Sequence, residues 1–319
     1  MTQKELAALC GCTQATVSKA LRGVNTISAD VREKILQTAA EHGMLHSRRK
    51  EPTGNIVLVL TPEYRSEFFG NLLSCLSSSL WEHGLNILST TYEYDESNLG
   101  RLSKIVRSIH GLYGVIICLN ANTDAELNQL IEDGIPVVRF GTGNIVDGVY
   151  PERLRSIRNA VEHLFSNHRR CIAYIGEKNT LIKEFCFRQV MAELGIPADN
   201  RYIHRSALRF AQAGAEGFEK LMGLDEPPDA IICSYDYIAF GVLNAAFAAG
   251  IDVPHDLAVI GMDDISSTGI YRLGLTTIGM DYRKLSETLV ELLIRRVRDP
   301  DAPQMCLTAD NPLIVRETG

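Results

Sequence analysis

The 319-residue chain has no long uncharged apolar run, at its N-terminus or elsewhere. Neither a secretory signal nor a membrane span is therefore expected, and the protein should reside in the cytoplasm. A repeated pattern of cysteine pairs is also missing. The eight cysteines, at positions 10, 12, 75, 118, 171, 186, 233 and 306, are scattered, mostly at apolar positions, with Cys10-Gly-Cys12 the one close pair. Without a second pair or a histidine cluster there is no zinc-ligand spacing, so the thiols read as reduced and buried and no metal is assigned. No G-x-G-x-x-G or G-x-x-x-x-G-K-[ST] follows a predicted strand, and Gly141-Thr-Gly143 lacks a third glycine at the required offset. Nor can a Ser, His and Asp set be assembled. Enzymes using a nucleotide are therefore disfavoured, and no catalytic residue or cofactor is assigned.

Hydrophobic residues make up 45% and charged residues 22% of the sequence, ordinary values for a folded globular chain. The length allows a small module plus a large body that itself divides in two. The net charge of −7 hides an asymmetry. Residues 1–50 hold eight Lys or Arg against four acids, whereas the remainder holds 24 against 35. A basic head on an acidic body fits a nucleic-acid-binding module joined to a domain that stays off nucleic acid.

Within that head, Gln3 to Arg22 reads as a helix-turn-helix. Thr2 with Glu5 three residues later forms a capping box for a helix starting at about Gln3. Ala7, Gly11 and Val17 stand at the spacing at which two short helices cross around a sharp turn. Leu6, Leu9, Cys10, Val17, Ala20 and Leu21 make the apolar seam. Gln14, Ala15, Thr16, Ser18, Lys19 and Arg22 remain for the opposite face. Gln can bond adenine bidentately, Ala can touch a thymine methyl, Lys can reach guanine, and Thr or Ser can hold phosphates. The expected DNA contacts are Thr13, Gln14, Ala15, Thr16, Ser18, Lys19, Arg22 and Asn25, with Arg48 and Arg49 beyond. A third helix starts at Ser28 and runs through Val31, Ile35, Leu36 and Ala39 to Gly43, closing the core. The alternative, three amphipathic helices with no DNA partner, does not require small residues at these offsets.

Residues 47–54, with Pro52 and Gly54, read as a linker. From Asn55 the period changes to short apolar strands alternating with helices. One series runs from Ile56–Leu60 to Pro136–Phe140, and a second follows Tyr150-Pro151. The fold class expected is α/β: a three-helix helix-turn-helix head and a two-lobed, doubly wound parallel-sheet body. Ligands of such sheets bind beyond the carboxyl ends of the strands.

The run Thr16-Val17-Ser18-Lys19-Ala20-Leu21, followed by Ile27-Ser28-Ala29-Asp30-Val31-Arg32, resembles the lactose-repressor family of bacterial transcription regulators. So do Cys233-Ser-Tyr-Asp236-Tyr-Ile-Ala239-Phe-Gly241, Val259-Ile-Gly261-Met-Asp263-Asp264, Leu275-Thr276-Thr277 and Leu313-Ile-Val-Arg316, in the same order. The resemblance covers nearly the whole chain. It implies a body similar to periplasmic sugar-binding proteins, crossed by the chain near 149–151, 278–281 and 303–310. The domains expected are a head, 1–46, a linker, 47–54, and a body, 55–319. Lobe 1 would hold about 55–149 and 281–303, and lobe 2 about 150–280 and 304–319.

The resemblance further implies a sequence-specific DNA-binding regulator, a repressor acting as a homodimer on a double-stranded operator, with a sugar or sugar derivative as effector. Asp236 matches the family's ligand-contacting Asp, and could equally cap the following helix. Tyr64, Phe68 and Phe69 stand where the family supplies an apolar wall, and Asn120 follows the third strand. Lys183 replaces an Arg usual in the family, and Tyr235 adjoins Asp236. Asp263 and Asp264 are expected to hold a turn. The linker contains no Leu, Ile or Phe between His46 and Asn55, so it lacks the apolar wedge with which the family kinks DNA, and little bending is expected. The competing functions are a transport-type sugar-binding protein, or a nucleotide-using enzyme on a Rossmann-like body.

Overall fold

The computed structural model describes residues 2–21, 27–41, 54–94, 100–118, 124–141, 143, 145–196, 199–269 and 273–319. All of the linker but Gly54 lies outside them. Two compact units divide between Thr53 and Gly54.

The first unit contains α1 (Gln3–Cys10), α2 (Gln14–Leu21) and α3 (Ala29–Glu41). The expected capping box is present. The Thr2 amide donates to Glu5 Oε2 at 2.8 Å, and the Glu5 amide to Thr2 Oγ1 at 3.3 Å. Gly11 ends α1 with φ 66°, a left-handed conformation that glycine adopts without steric cost. Leu6, Ala7, Cys10, Val17, Ala20, Ile35 and Ala39 form the core. Leu9, expected in the seam, is 55% exposed. At 100° per residue, Leu6, Ala7 and Cys10 already fill the inward arc of α1, and Leu9 falls outside it. Val31 is exposed as well.

The second unit holds two six-stranded sheets. The chain first builds β1 (Ile56–Thr61), α4 (Glu67–Glu82), β2 (Asn86–Thr91), α5 (Leu102–Ser108) and β3 (Leu112–Cys118). It continues through α6 (Asp124–Glu132), β4 (Val137–Phe140) and β5 (Asp147–Pro151). The second series is α7 (Arg153–Ser166), β6 (Ile172–Glu177), α8 (Leu181–Glu193), β7 (Ile203–Ser206), α9 (Phe210–Met222) and β8 (Ala230–Cys233). It ends with α10 (Asp236–Ala248), β9 (Ala258–Met262) and β10 (Thr276–Ile278). Then come α11 (Tyr282–Arg298), β11 (Cys306–Ala309) and β12 (Leu313–Ile314).

The strand orders are β11-β5-β4-β3-β1-β2 and β12-β10-β9-β8-β6-β7. Every pairing is parallel except β10 with β12, so the second sheet is not wholly parallel as expected. Central strands such as β8 and β9 are buried along their whole length, which is why they are short apolar runs without alternation. Helices α4 and α11 cover one face of the first sheet through Leu72, Leu76, Leu289 and Leu293. Leu102, Val106, Leu127 and Leu130 of α5 and α6 cover the other. In the second lobe, α9 and α10 cross closely. A Cβ at Gly214 would lie 2.0 Å from the Ile238 carbonyl oxygen, and one at Gly241 2.1 Å from that of Ala211, so a larger residue at either position would force the helices apart.

The chain passes between the sheets after β5, between β10 and α11, and between β11 and β12. Residues 304–309, assigned from sequence to the second lobe, instead place β11 beside β5 in the first sheet, from Cys306 opposite Gly148 to Ala309 opposite Pro151. Cys306 is consequently exposed on an edge strand, against the expectation of a buried thiol, while Cys10, Cys118, Cys186 and Cys233 are buried.

Candidate functional sites in head and body

Thr13, just before α2, and Gln14, Ala15 and Lys19 on it are exposed, and Thr16 and Ser18 are half-buried. Thr13 Oγ1 accepts from the Thr16 amide at 3.1 Å and lies 2.8 Å from Thr16 Oγ1, so these two hydroxyls secure the start of the helix. Gln14, Ala15 and Lys19 then project from a capped helix whose other face carries Val17 and Ala20 into the core. Arg22, Asn25, Arg48 and Arg49 lie outside the described residues.

In the body, a cleft of about 910 Å³, part of it open to solvent, separates the two sheets. Its first-lobe wall is aromatic. Phe68 stacks on Phe140 at 6.0 Å between centroids and meets Phe69 edge-on at 5.1 Å. The second-lobe wall carries charge. Lys183 Nζ donates to the Ser234 carbonyl at 2.7 Å and to Asp263 Oδ1 at 3.1 Å, and stands 4.5 Å from the centre of the Tyr235 ring. Burial raises the Asp263 carboxyl above its ordinary value, while the Lys183 ammonium pulls the other way. Arg153 lines the same cleft, and burial lowers its guanidinium, with Cys186, Asp263 and Tyr235 opposing. One carboxylate and two cations thus face a bed of flat rings, a set able to donate to and accept from a small polar ligand while packing its apolar faces.

Asn311 pins the three crossings at the floor. Its Nδ2 donates to the Gly279 carbonyl at 2.9 Å, and its Oδ1 accepts from the Glu152 amide at 3.1 Å. Tyr282 Oη, on α11, donates to the Asp263 carbonyl at 2.7 Å and so joins the first lobe to the turn that bears the cleft carboxylate.

Of the residues proposed from sequence, Phe68, Phe69, Lys183 and Tyr235 line the cleft. Tyr64 does not; it is 53% exposed and its hydroxyl donates to Ser89 Oγ at 3.2 Å, on the outer strand β2. Asn120 lies outside the described residues. Asp236 is also absent from the cleft wall. Its Oδ1 accepts from Thr277 Oγ1 at 2.6 Å and its Oδ2 from the Ile265 amide at 3.0 Å, so the carboxylate ties α10 to β10 and the loop after β9. It does not cap α10 either, because Tyr235 occupies the cap position without a side-chain bond.

The pair Asp263 and Asp264 divides its work. Both have positive φ, 111° and 49°, and Asp264 holds the turn by accepting from Thr268 Oγ1 and Arg316 Nη2. Asp263 faces the cleft. Sequence reasoning passed over Arg153, Phe140 and Asp263 as site residues. Two adjacent carboxylates directly after a buried strand were the available signal for Asp263; Arg153 and Phe140 have no local one.

A periplasmic binding protein-like domain model matches residues 161–318. The chain is 25% identical over 325 residues to the HTH-type transcriptional repressor CytR of Escherichia coli strain K12, covering 99% of this chain and 95% of that protein. It is 26% identical over 335 residues to the HTH-type transcriptional regulator MalR of Streptomyces coelicolor, covering 98% and 94%. Among solved structures, a complex of the transcriptional regulator CelR with cellobiose matches over 100% of both chains, with a TM-score of 0.74 at 22% identity. A LacI family regulator from Enterococcus faecium with bound ribose matches 82% of this chain and 98% of its own, with a TM-score of 0.72 at 23% identity. With an exposed, capped second helix in its head and a cleft between two parallel-stranded lobes, the chain is similar over nearly its whole length to helix-turn-helix transcription regulators and shares the fold of solved regulators of the lactose-repressor family.

Proposed function

We propose that this regulator is a cytoplasmic, homodimeric repressor whose affinity for a double-stranded operator is set by a sugar or sugar derivative held between the body lobes. The observation that carries the reading is the cleft, where Lys183, Asp263 and Arg153 stand opposite Phe68 and Phe140 beside a pinned hinge. Lobe closure on a ligand is a two-state change that can bias the heads. Relatives of the same fold have been solved with cellobiose and with ribose. No helix among the described residues is long and apolar enough to cross a membrane.

One head contacts too little DNA for specificity, so two copies on a palindrome are required. Trp81, 74% exposed at the end of α4, and Leu88, exposed on the outer strand β2, offer apolar surface for a second copy. Selection of bound sequences from a random DNA pool tests the whole reading. Enrichment of a palindrome with half-sites about one helical turn apart is expected, and a pool that stays random rules out sequence-specific regulation.

Gln14→Ala or Lys19→Ala should weaken operator binding by about 1–3 kcal/mol per lost base contact and alter the preferred base pair. Thr16→Ala or Ser18→Ala should weaken all sequences alike, because phosphate contacts carry no base information. Competition binding on single-base operator variants measures both, and an unchanged preference for Gln14→Ala removes that residue from base reading.

A screen of sugars and sugar phosphates by calorimetry on the full chain identifies the effector. Lys183→Met should then weaken its binding roughly tenfold or more, the worth of one charged hydrogen bond. Full-strength binding by the variant takes Lys183 off the ligand.

A further inference from the structure

A charged side chain links the lobes from outside the cleft lining. Arg209, immediately before α9 in the second lobe, reaches Glu63, just beyond β1 in the first. Its Nη1 lies 2.7 Å from Glu63 Oε2 and its Nη2 2.9 Å from Glu63 Oε1, a two-pronged pairing. Its Nε donates to Glu177 Oε1, at the end of β6 in its own lobe, at 3.0 Å. Both carboxylates are almost wholly buried. Tyr94 of the first lobe donates to Glu63 Oε1 at 3.1 Å, and the guanidinium lies 5.3 Å from the Tyr94 ring and 4.3 Å from the Phe210 ring. Phe210 has φ 55°, a left-handed conformation that aromatic residues seldom adopt, at the bend from which Arg209 projects. Tyr94 and Tyr235 border both the cleft and this cluster, Tyr235 through a 6.3 Å ring contact with Phe210.

We infer that Arg209 is an interlobe clasp, holding the two lobes shut over the cleft through Glu63 without itself meeting the ligand. The role rests on the cleft being the effector site proposed above. The asymmetry of its partners is what lets it release. Glu177 travels with Arg209, so opening the lobes leaves the guanidinium paired within its own lobe. Glu63 travels away, and its carboxylate passes from burial to water. Stripping a buried ion of its only partner is what makes such pairs costly to break, and the second carboxylate removes that obstacle. The lobes therefore have two satisfied arrangements. A ligand that binds the closed one gains apparent affinity in proportion to how much of the protein is already closed. Arg209 is thus a positioning residue that sets the fraction closed before any effector arrives.

Hydrogen exchange on the ligand-free full-length protein, followed by mass spectrometry, tests this without knowledge of the effector. In Arg209→Ala, peptides facing the cleft, 62–69 and 179–183, should exchange about tenfold faster than in the wild type, while β3 and β8 in the sheet cores stay as protected as before. Should Arg209→Ala fail to fold, Glu63→Gln provides the same reading. It keeps the shape of the first-lobe partner, removes its charge, and leaves Arg209 paired with Glu177. Unchanged exchange at the cleft in the folded variant overturns the clasp. Acceleration spread equally through both sheet cores also overturns it, since that marks a contribution to stability alone. Because no ligand is present, a clasp that passes while every compound fails to bind condemns only the effector reading, and the reverse result condemns only the clasp.

Discussion

Asp236→Ala is expected to lower the stability of the body by about 2–5 kcal/mol, before any effect on a ligand is considered. The carboxylate is 1% exposed and accepts from the Thr277 hydroxyl and the Ile265 amide. Alanine leaves both donors buried without a partner, at roughly 1–3 kcal/mol each. Asn keeps the shape, with one oxygen to accept from Ile265 and an amide to donate to Thr277, so Asp236→Asn should fold as well as the wild type. The two should differ in pH dependence. Burial, then the neighbouring Asp263, pushes the Asp236 carboxyl well above its ordinary value of 3.8. A carboxyl whose folded value is raised contributes its full stability below the unfolded value, where it is protonated in both states, and loses it as pH rises through the folded value. The wild type should therefore lose stability relative to Asp236→Asn as pH rises from 4 toward neutrality. Denaturant midpoints of the three proteins between pH 4 and 8 measure this. If Asp236→Ala unfolds at the wild-type midpoint, the carboxylate is not structural.

Asp147→Ala should cost about 3–5 kcal/mol, the loss seen when one member of a buried ion pair is removed and the other remains. Asp147, 1% exposed at the start of β5, accepts from Arg296 Nε at 2.7 Å and from the Met305 amide at 2.6 Å, with Arg295 Nη1 at 3.5 Å. Arg296 Nη1 in turn donates to the carbonyls of Pro300 and Ala302, both at 2.8 Å. The cluster folds the segment after α11 back onto the first sheet and delivers β11 to β5. Hydrogen exchange should accordingly show β11 losing protection first, with the second lobe unaffected until global unfolding. An unchanged midpoint together with a protected β11 would show that the apolar contacts of α11 alone seat this strand.

The contrast between these two aspartates and the head shows where sequence suffices. Thr2 and Glu5 are three residues apart, so their capping box depends only on the geometry of one helical turn. Even so, the head seam was legible only to within one position, since Leu9 lies just outside the inward arc of its helix. The long strands announced themselves in the same local way, as apolar runs buried on both faces. The word around Asp236 reads the same whether its carboxylate enters the cleft or turns to Thr277, 41 residues on. Strand β11 alternates exposed and half-buried residues at a sheet edge, and its place in the first lobe depends on Asp147, 158 residues before Met305. Arg209 and Glu63 are 146 residues apart, and nothing near either one marks the other. The sequence by itself determined the helices and the central buried strands and their order, though not the short strands β5 and β11, because those elements follow from periodicity and from partners within a turn. The tertiary structure decided which lobe holds a short edge strand, which way a carboxylate points and which charges meet across the cleft, because desolvating a charge is tolerable only where distant backbone and side chains arrive together to satisfy it.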